Sequence, residues 1–361
     1  MMFYNSLSLL LYNVIEVNYM AYLDKEFNKF YDDICIHKEA DDLRNKRDLL
    51  KADIEKYLPD KLDEIGIDIN KSDFEFINQG SYAIGTTIIN PYGAVDLDYG
   101  LVIPFYDLSN KDIIKSIKKA VKDSLSHVST RTVNIKEPCV TVSYYSNGDE
   151  TVHIDFPVYA ANENKQLFLA RGKEFSSTDN CKWEDADPKG LKEYFNDYLS
   201  NNIKMRRIVR FVKKWKQEAY QNSTNDHEIP ASVGLTILVC QNFVEKEHDI
   251  LSLYETLKKI KDKFLVSYDS EWNIESAIIS CYLPQKPFTD VFYKMTDAHK
   301  LTFYNRICRA INNLNTAITL DDEHESGLYI QKVLGESFEI PEKIASNTAA
   351  KYTRESSFGK G

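Results

Sequence analysis

The chain has 361 residues, 43% of them apolar, which is enough to build a sizeable buried core. Its formal net charge is −10. Because binding to a nucleic-acid backbone depends on a basic surface, this acidic balance argues against a general nucleic-acid binder. The six cysteines include no C-x-x-C pair, so the sequence lacks the usual zinc and disulfide patterns and favours a reducing, cytoplasmic setting.

The N-terminal residues 1–20 are mildly apolar, but no basic segment leads them and polar residues interrupt the run. They predict neither a signal peptide nor a membrane span, so we expect a leader or a flexible arm, with Met20 as an alternative start. The following residues, 21–58, have apolar positions near helical spacing. They predict one or two long helices that end at Pro59.

A glycine-serine turn follows the first predicted strand. Residues 73–78 have the pattern of a strand, Gly80 and Ser81 turn the chain, and residues 82–87 begin a short helix. Such a turn offers backbone N–H groups and a hydroxyl to phosphate oxygens. A Gly-Ser turn alone is weak evidence, because most such turns bind no ligand.

Two acids lie on the next predicted strand, at residues 95–103. Side chains alternate along a strand, so Asp96 and Asp98 share one face and the apolar residues share the other. Two carboxylates on one face repel each other and are costly to bury without a cation. Hard oxygen ligands in this arrangement suit Mg²⁺ that bridges the phosphates of a substrate.

The next segment predicts a helix and then a pair of strands. Residues 109–127 have the apolar spacing of an amphipathic helix. Residues 130–145 alternate as strands and are interrupted near Pro138, and Asn147-Gly148 is a strong signal for a hairpin turn.

The strand after this turn, at residues 151–159, supplies a third acid. Asp155 lies opposite an apolar face, and Pro157 weakens the pairing of the strand just beyond it. A phosphoryl-transfer site with two metal ions needs such a third carboxylate. Asp96, Asp98 and Asp155 are therefore the candidate metal ligands.

The C-terminal half is predicted from turns and helical spacing. Residues 160–181 are polar and irregular, and they predict a loop at the border of a cleft. Asp187-Pro188 is a good helix start, with Asp as the cap and Pro as the first helical residue. The apolar spacing beyond it predicts helices near residues 203–220, 230–246, 253–264 and 298–317.

These motifs together resemble a known family. Gly-Ser, then Asp-x-Asp, then one Asp on a later strand is similar to the DNA polymerase β-like nucleotidyltransferases. The segments QGSYAIGT, VDLDYG and VHIDFPVYA resemble those of the cGAS/DncV-like nucleotidyltransferases (CD-NTases) of bacterial CBASS anti-phage defence. The segments KWEDADP and RFVKKW extend the resemblance to the DncV-like branch of this family. The resemblance runs from about residue 74 to residue 239.

The resemblance implies an α+β fold with two lobes and an active site in the cleft between them. We expect a polymerase-β-like nucleotidyltransferase core at residues 21–200, with a mixed sheet and an N-terminal spine helix. A helical lobe is expected at residues 201–345, followed by a mobile tail at residues 346–361.

The implied activity is Mg²⁺-dependent synthesis of a cyclic di- or trinucleotide second messenger from ATP and/or GTP, with release of pyrophosphate. Asp96, Asp98 and Asp155 become the catalytic residues and the ligands of two Mg²⁺ ions, with Mn²⁺ as a possible substitute. Two alternatives stay open: a linear oligonucleotide or RNA-directed nucleotidyltransferase, and a nucleotide-binding scaffold without activity.

The resemblance also implies which residues bind the nucleotide. Gly80 and Ser81 hold its phosphates, and Lys213, on a basic helical segment, contacts the phosphates of the donor. Ser232 matches a serine of the family that touches phosphate, although helix capping explains the same residue. The family branch carries an aromatic residue where this chain has Ile84, so the arrangement that stacks on the base differs here.

The expected partners are nucleoside triphosphates and, through the cyclic product, a downstream effector. No membrane and no long nucleic acid is expected. The chain ends in Gly361, and in many anti-phage operons of this kind E1/E2-like conjugation enzymes join such a terminus to a target. Conjugation at Gly361 and an ordinary frayed end both fit the sequence.

Overall fold

The computed structural model describes residues 21–36, 39–89 and 94–343. The expected leader (1–20) and the expected tail with Gly361 lie outside the described residues. No helix in the described part of the chain is both long and apolar enough to span a bilayer. All six cysteines lie in this part and are free thiols.

Ten α-helices form within the described residues. Most of them follow the sheet in the chain, as the helical spacing of the C-terminal half predicts. They are α1 (Asp24–Ile34), α2 (Glu39–Asp63), α3 (Gly80–Ala83), α4 (Ile113–Leu125), α5 (Pro188–Leu199), α6 (Ile203–Ala219), α7 (Ser232–Asn242), α8 (Asp249–Lys261), α9 (Asp297–Thr319) and α10 (Glu323–Leu334).

Ten β-strands form an eight-stranded mixed sheet and a separate hairpin in the same residues. The sheet comprises β1 (Glu75–Gln79), β2 (Val95–Pro104), β3 (Arg131–Ile135), β4 (Val140–Ser146), β5 (Asp149–Phe156), β6 (Val158–Ala161), β7 (Leu167–Arg171) and β8 (Lys182–Ala186). The hairpin comprises β9 (Leu265–Tyr268) and β10 (Ile274–Ile278).

Strand β2 is the centre of the sheet. It pairs antiparallel with β1 and in parallel with both β5 and β6. The pairs Asp98 with Asp155 and Leu101 with Val158 share one register, so β5 and β6 follow one another beside β2 with a break at Pro157. The predicted loss of pairing just beyond Asp155 is confirmed.

The described residues form two large hydrophobic cores, one beneath the sheet and one among the C-terminal helices, and a smaller third cluster. One core joins the apolar face of the sheet to α2 and α4, with Leu50, Leu97 and Ile154 completely or almost completely buried. The other joins α1 to the C-terminal helices, and there Phe27 contacts Phe211. The mixed sheet with a C-terminal helical part confirms the expected α+β fold.

Several local predictions are confirmed by the structure. The helix expected at 109–127 is α4, and Asn147 and Gly148 turn between β4 and β5 with φ of 53° and 92°. Asp187 caps α5, because its carboxylate accepts a hydrogen bond from the Gly190 N–H at 2.8 Å. The helices expected near 203–220, 230–246, 253–264 and 298–317 correspond to α6, α7, α8 and α9.

Other local predictions are wrong. Helix α2 does not end at Pro59 but continues to Asp63, because Leu58 and Leu62 are fully buried and their packing outweighs one missing backbone hydrogen bond. The loop expected at 160–181 contains strand β7, which pairs with both β6 and β8. The sequence pattern also gave no sign of α10 or of the β9–β10 hairpin.

Candidate active site

The three candidate acids lie together on the polar face of the sheet. Asp98 is the register partner of Asp155 on the neighbouring parallel strand, and Asp96 is the register partner of His153. Since side chains two residues apart share a face, all four side chains lie on one side of β2 and β5. As predicted, the three acids lie together on two adjacent strands.

The buried carboxyl of Asp98 lies beside two other carboxylates, which disfavour its ionised form. Burial and the charges of Asp155 and Asp96 raise the pKa of Asp98 to about 7. Lys213 and His153 oppose this rise in pKa only in part. Near neutral pH this carboxyl is therefore only partly ionised, and a bound cation would favour its ionised form.

Two side chains that contact the acids were not predicted as site residues. His153 Nε2 contacts Asp96 Oδ1, and this hydrogen bond raises the pKa of the imidazole. The buried Thr141 Oγ1 donates a hydrogen bond to Asp155 Oδ1 from β4. Nothing in the local sequence of β4 marks Thr141, but His153 lies two residues before Asp155 on the same strand face.

The Gly80-Ser81 turn packs directly against the acids. Gly80 has a φ of +65°, and a Cβ atom at this position would lie 1.9 Å from Asp98 Oδ2. No other residue fits there without moving the carboxylate. Ser81 Oγ lies 2.9 Å from Thr87 Oγ1, so the turn is tied to the segment after α3.

Helix α6 brings positive charge to the same place. Lys213 is only 7% exposed, and its Nζ donates hydrogen bonds to the carbonyl and the hydroxyl of Thr86 at 3.1 and 3.0 Å. Burial and the charges of Lys216 and Arg210 lower the pKa of Lys213 to about 7. Such a lysine gains its full charge when an anion binds beside it.

Ser232 is the first residue of α7, and its side chain does not cap that helix. Its hydroxyl instead accepts a hydrogen bond from Lys216 Nζ at 2.5 Å. Burial lowers the pKa of Lys216 as well. The predicted capping role of Ser232 is therefore wrong, and Lys216 is a second cation that the sequence did not single out from its basic neighbours.

These residues surround one cavity of about 520 Å³ between the sheet and the helices. Asp155 is not among the residues that line it, and lies behind Asp98 beside β2. The predicted site residues that line it are Gly80, Ser81, Asp96, Asp98, Lys213 and Ser232.

The cavity also has an apolar part, formed by Ile84, Leu191, Phe195 and Val233. Ile84 is buried, so an aliphatic surface takes the place of the aromatic residue of the family branch. Tyr159 lines the cavity but is a core residue, and its hydroxyl donates to Gln79 Oε1 at 3.0 Å. Its ring is therefore held in the protein core.

The donor set fits a hard divalent cation. Asp96, Asp98 and Asp155 offer carboxylate oxygens, and burial together with their mutual repulsion raises the pKa of Asp98. Among the described residues, no three Asp, Glu, His or Cys side chains are already gathered at the spacing of a formed metal site. Asp96 is turned to His153 and Asp155 to Thr141, so the carboxylates would have to close around the ion.

Comparison with known proteins agrees with this geometry. Residues 74–159 match the family model described as the nucleotidyltransferase domain of DncV-like cyclic GMP-AMP synthase. A cyclic GMP-AMP synthase of Escherichia albertii is 28% identical over 187 residues, which cover 49% of this chain and 38% of that protein. One from Vibrio cholerae is 23% identical over 229 residues and covers 51% of each. The aligned part thus spans about half or less of these curated relatives.

Solved structures show the same fold along most of the chain. The structure of Vibrio cholerae DncV cyclic AMP-GMP synthase with the linear intermediate 5′-pppA(3′,5′)pG has a TM-score of 0.63 and 16% identity, and covers 89% of this chain and 96% of that one. The apo form of Vibrio cholerae DncV has a TM-score of 0.61 and 17% identity, and covers 87% and 96%. At these identities the likeness extends to the fold.

Proposed function

We propose that this chain, whose residues 74–159 belong to the DncV-like nucleotidyltransferase domain family, synthesises a cyclic di- or trinucleotide from ATP and/or GTP and releases pyrophosphate. The observation that carries the proposal is the placement of Asp98 between Asp155 and Gly80, at a cavity that also contains Lys213. The names of the curated relatives support a cyclic product.

The residues that would hold two Mg²⁺ or Mn²⁺ ions are Asp96, Asp98 and Asp155. When bound, such ions stabilise the charge on the attacking and leaving oxygens of an in-line phosphoryl transfer. The raised pKa of Asp98 supports this assignment, because a carboxyl that is hard to ionise alone is the one that gains most from a cation.

The protein's own residues would position the phosphates. The turn at Gly80 and Ser81 lies against the acids and offers backbone N–H groups to phosphate oxygens. Lys213 supplies a buried positive charge held in place by Thr86. A cavity of about 520 Å³ falls in the usual range for sites of small ligands.

Ring closure needs a second transfer in the same site. After the first transfer the linear intermediate has to turn so that its own triphosphate lies against the acids and a free ribose hydroxyl attacks it. The wall at Ile84 is aliphatic, so Ile84 itself offers no ring on which the base could stack during this turn. The bases used, the linkage and the ring size are the finer part of the proposal.

The wider role that we propose is anti-phage signalling in the cytoplasm, where the cyclic product would act on a downstream effector. Conjugation of Gly361 by E1/E2-like enzymes stays a prediction, since that residue lies outside the described part of the chain.

One experiment separates the three readings of the site. The protein is incubated with Mg²⁺ and labelled ATP, GTP, CTP and UTP, and the products are treated with phosphatase. A phosphatase-resistant product whose mass is that of a cyclic nucleotide supports the proposal. A ladder, or a product that requires RNA, supports the linear alternative, and binding without turnover supports the scaffold.

A further inference from the structure

Helices α6, α9 and α10 enclose a second pocket, which we call the rear pocket, with a volume of about 170 Å³. Trp215 and Glu218 of α6 line the rear pocket, whereas Lys213 and Gln217 of the same turns line the cavity. At 3.6 residues per turn these two pairs lie on opposite sides of α6. The two spaces share no lining residue, so a ligand in the rear pocket would not touch the acids of β2.

Three cations border the rear pocket: Arg306 and Arg309 of α9 and Lys332 of α10. Within the described part of the chain, none of these three side chains forms a hydrogen bond or an ion pair. The guanidinium of Arg306 lies 4.0 Å from the ring centre of Tyr220, and the ammonium of Lys332 lies 4.0 Å from that of Tyr329. An aromatic face attracts a cation but leaves most of its N–H donors available to an acceptor.

The carboxylate at the rear pocket, Glu218, does not neutralise these cations. It forms an ion pair with Lys214 Nζ at 2.6 Å, and its side chain is only 11% exposed. It also packs against Gly335, where a Cβ atom would lie 2.2 Å from Glu218 Cδ. The rear pocket therefore presents three uncompensated positive charges in a chain whose net charge is −10. A concave surface with this local sign concentrates anions.

We infer that the rear pocket binds a phosphate group. Arg306 and Arg309 are three residues apart, so they share one face of α9, and each offers a fork of donors that matches phosphate oxygens. Lys332 adds a third charge from α10, and Asn313 adds an amide. Three converging cations suit a dianion with several oxygens better than a carboxylate, which has one charge. Sites for whole drug-sized ligands start at about 300 Å³, so the rear pocket takes one anionic group.

The first test is calorimetric titration of the folded protein with inorganic phosphate, at a slightly alkaline pH where phosphate is mostly a dianion. A chelator is present, so that no divalent cation joins phosphate to the acids of β2. We expect Arg309→Gln and Lys332→Met each to weaken binding by on the order of 10-fold or more, as when a hydrogen bond to a charged group is lost. Both side chains are exposed, so both variants should fold.

Two controls locate the bound phosphate. Lys263→Met removes the same charge as Lys332→Met, but from an exposed position outside both pockets, and its affinity should equal that of the wild type. Lys213→Met removes a cation of the cavity and should also leave the affinity unchanged. Lost binding in Lys213→Met would place the phosphate in the cavity and overturn the inference. An equal loss in Lys263→Met and Lys332→Met would overturn it as well, because the attraction would then be general.

AMP and inorganic phosphate separate two sources of the phosphate group. If AMP also binds and Arg309→Gln weakens it to the same extent, the rear pocket takes the phosphate of a nucleotide. If only inorganic phosphate behaves in this way, the rear pocket takes the free ion, and either result supports the inference. Succinate that binds as tightly as phosphate would overturn the assignment to phosphate, and so would the failure of both phosphate and AMP to bind.

Thermal unfolding separates binding from a purely structural role. Without added anion, Arg309→Gln and Lys332→Met should melt at the wild-type temperature or higher, since each relieves repulsion among the three cations. Saturating phosphate should raise the melting temperature of the wild type more than that of either variant. An equal rise in all three proteins would contradict the inference. None of these outcomes bears on nucleotide synthesis, so the proposed function stands or falls separately.

Discussion

The cations on the two sides of helix α6 differ in their partners. Away from the cavity, Arg207 and Lys214 each contact a carboxylate, and these pairs hold α6 to α8 and stabilise its own last turns. Toward the cavity, Lys213 and Lys216 contact a carbonyl and hydroxyl groups. The charges away from the cavity are neutralised inside the protein, and we propose that the charges at the cavity are neutralised by a bound ligand.

The acids of the sheet are also kept apart from the cations of α6. Burial and the charges of Lys216 and Arg210 lower the pKa of Lys213, and the acids of β2 oppose this only in part; no ion pair joins these acids to Lys213 in the described residues. If Lys213 formed an ion pair with these acids, its side chain would fill the space between them. Thr86 holds Lys213, and Gly80 packs against Asp98, so both groups are kept at the walls. The separation leaves room for a substrate that carries both phosphate and cations.

The largest expected effect is on the cavity side. We expect Asp98→Asn to reduce product synthesis by roughly 1000-fold or more, because it removes a carboxylate that both metal ions would share. The free energy of unfolding should not fall, since the change removes a charge that its neighbours disfavour. Product formation and thermal melting of the two proteins provide the test, and retained synthesis would contradict the mechanism.

The pH dependence of this stability difference has a definite sign. The pKa of Asp98 is raised from 3.8 to about 7 in the folded protein. Its contribution to stability is therefore present below the unfolded pKa and is lost as the pH rises through 7. The advantage of Asp98→Asn in melting temperature should grow between about pH 4 and pH 7 and then level off.

The next effect is on the other side of α6 and should spare the site. Asp249→Asn leaves the guanidinium of Arg207 without the carboxylate that it contacts through Nε at 2.8 Å. We expect the free energy of unfolding to fall by about 3 kcal/mol, as for other buried pairs that lose one partner. Denaturant unfolding of the wild type and of Asp249→Asn measures this difference in the free energy of unfolding.

A control at the other end of α8 sharpens the comparison. Asp262, just after α8, has a side chain that is 60% exposed, and Asp262→Asn should change the free energy of unfolding by less than about 0.5 kcal/mol. Folded Asp249→Asn should bind a non-hydrolysable ATP analogue with the same affinity as the wild type. Lost affinity in that variant would show that the two sides of α6 are not independent.

The sequence revealed the acids because their signals are local. Alternation on β2 and β5 places Asp96, Asp98 and Asp155 on one face, and the apolar partners on the other face are buried as that pattern requires. Gly80 was identified from its motif, and the reason for a glycine there is the approach of Asp98, which is a tertiary contact.

The remaining parts of the site depend on how distant elements meet. Lys216 is one of seven basic residues between 204 and 216, and only the approach of α7 with Ser232 distinguishes it from the others. Thr141 is an ordinary strand residue until β4 pairs with β5. Strand β7 forms because β6 and β8 supply partners on both sides, and its own five residues carry too little pattern to predict it.

Thr141 allows a smaller test of the acidic site, because its buried hydroxyl donates a hydrogen bond to Asp155. Thr141→Val keeps the shape and removes the donor, so the carboxylate is held less firmly. We expect a loss of activity of roughly 10-fold, with more Mg²⁺ needed for half-maximal rate. Thr141→Ser restores the donor and should recover most of the activity. Equal losses in both variants would assign Thr141 to packing alone.

The smallest expected effect is a proton taken up when nucleotide binds. The pKa of Lys213 is lowered from 10.5 to about 7, so at pH 8 the apo protein carries it mostly uncharged. A bound triphosphate raises that pKa again, and up to one proton should enter the site. Calorimetry of the ATP analogue in buffers of different ionisation enthalpy, at one fixed Mg²⁺ concentration, counts this proton.

Lys213→Met should take up less than the wild type, and the difference isolates Lys213 from protons that the acids release to a metal. Equal uptake by the two proteins would mean that this lysine is already charged before the nucleotide arrives. The cavity side of α6 would then tolerate its unpaired charge without a ligand, and the contrast between the two sides of the helix would be one of contacts and not of protonation.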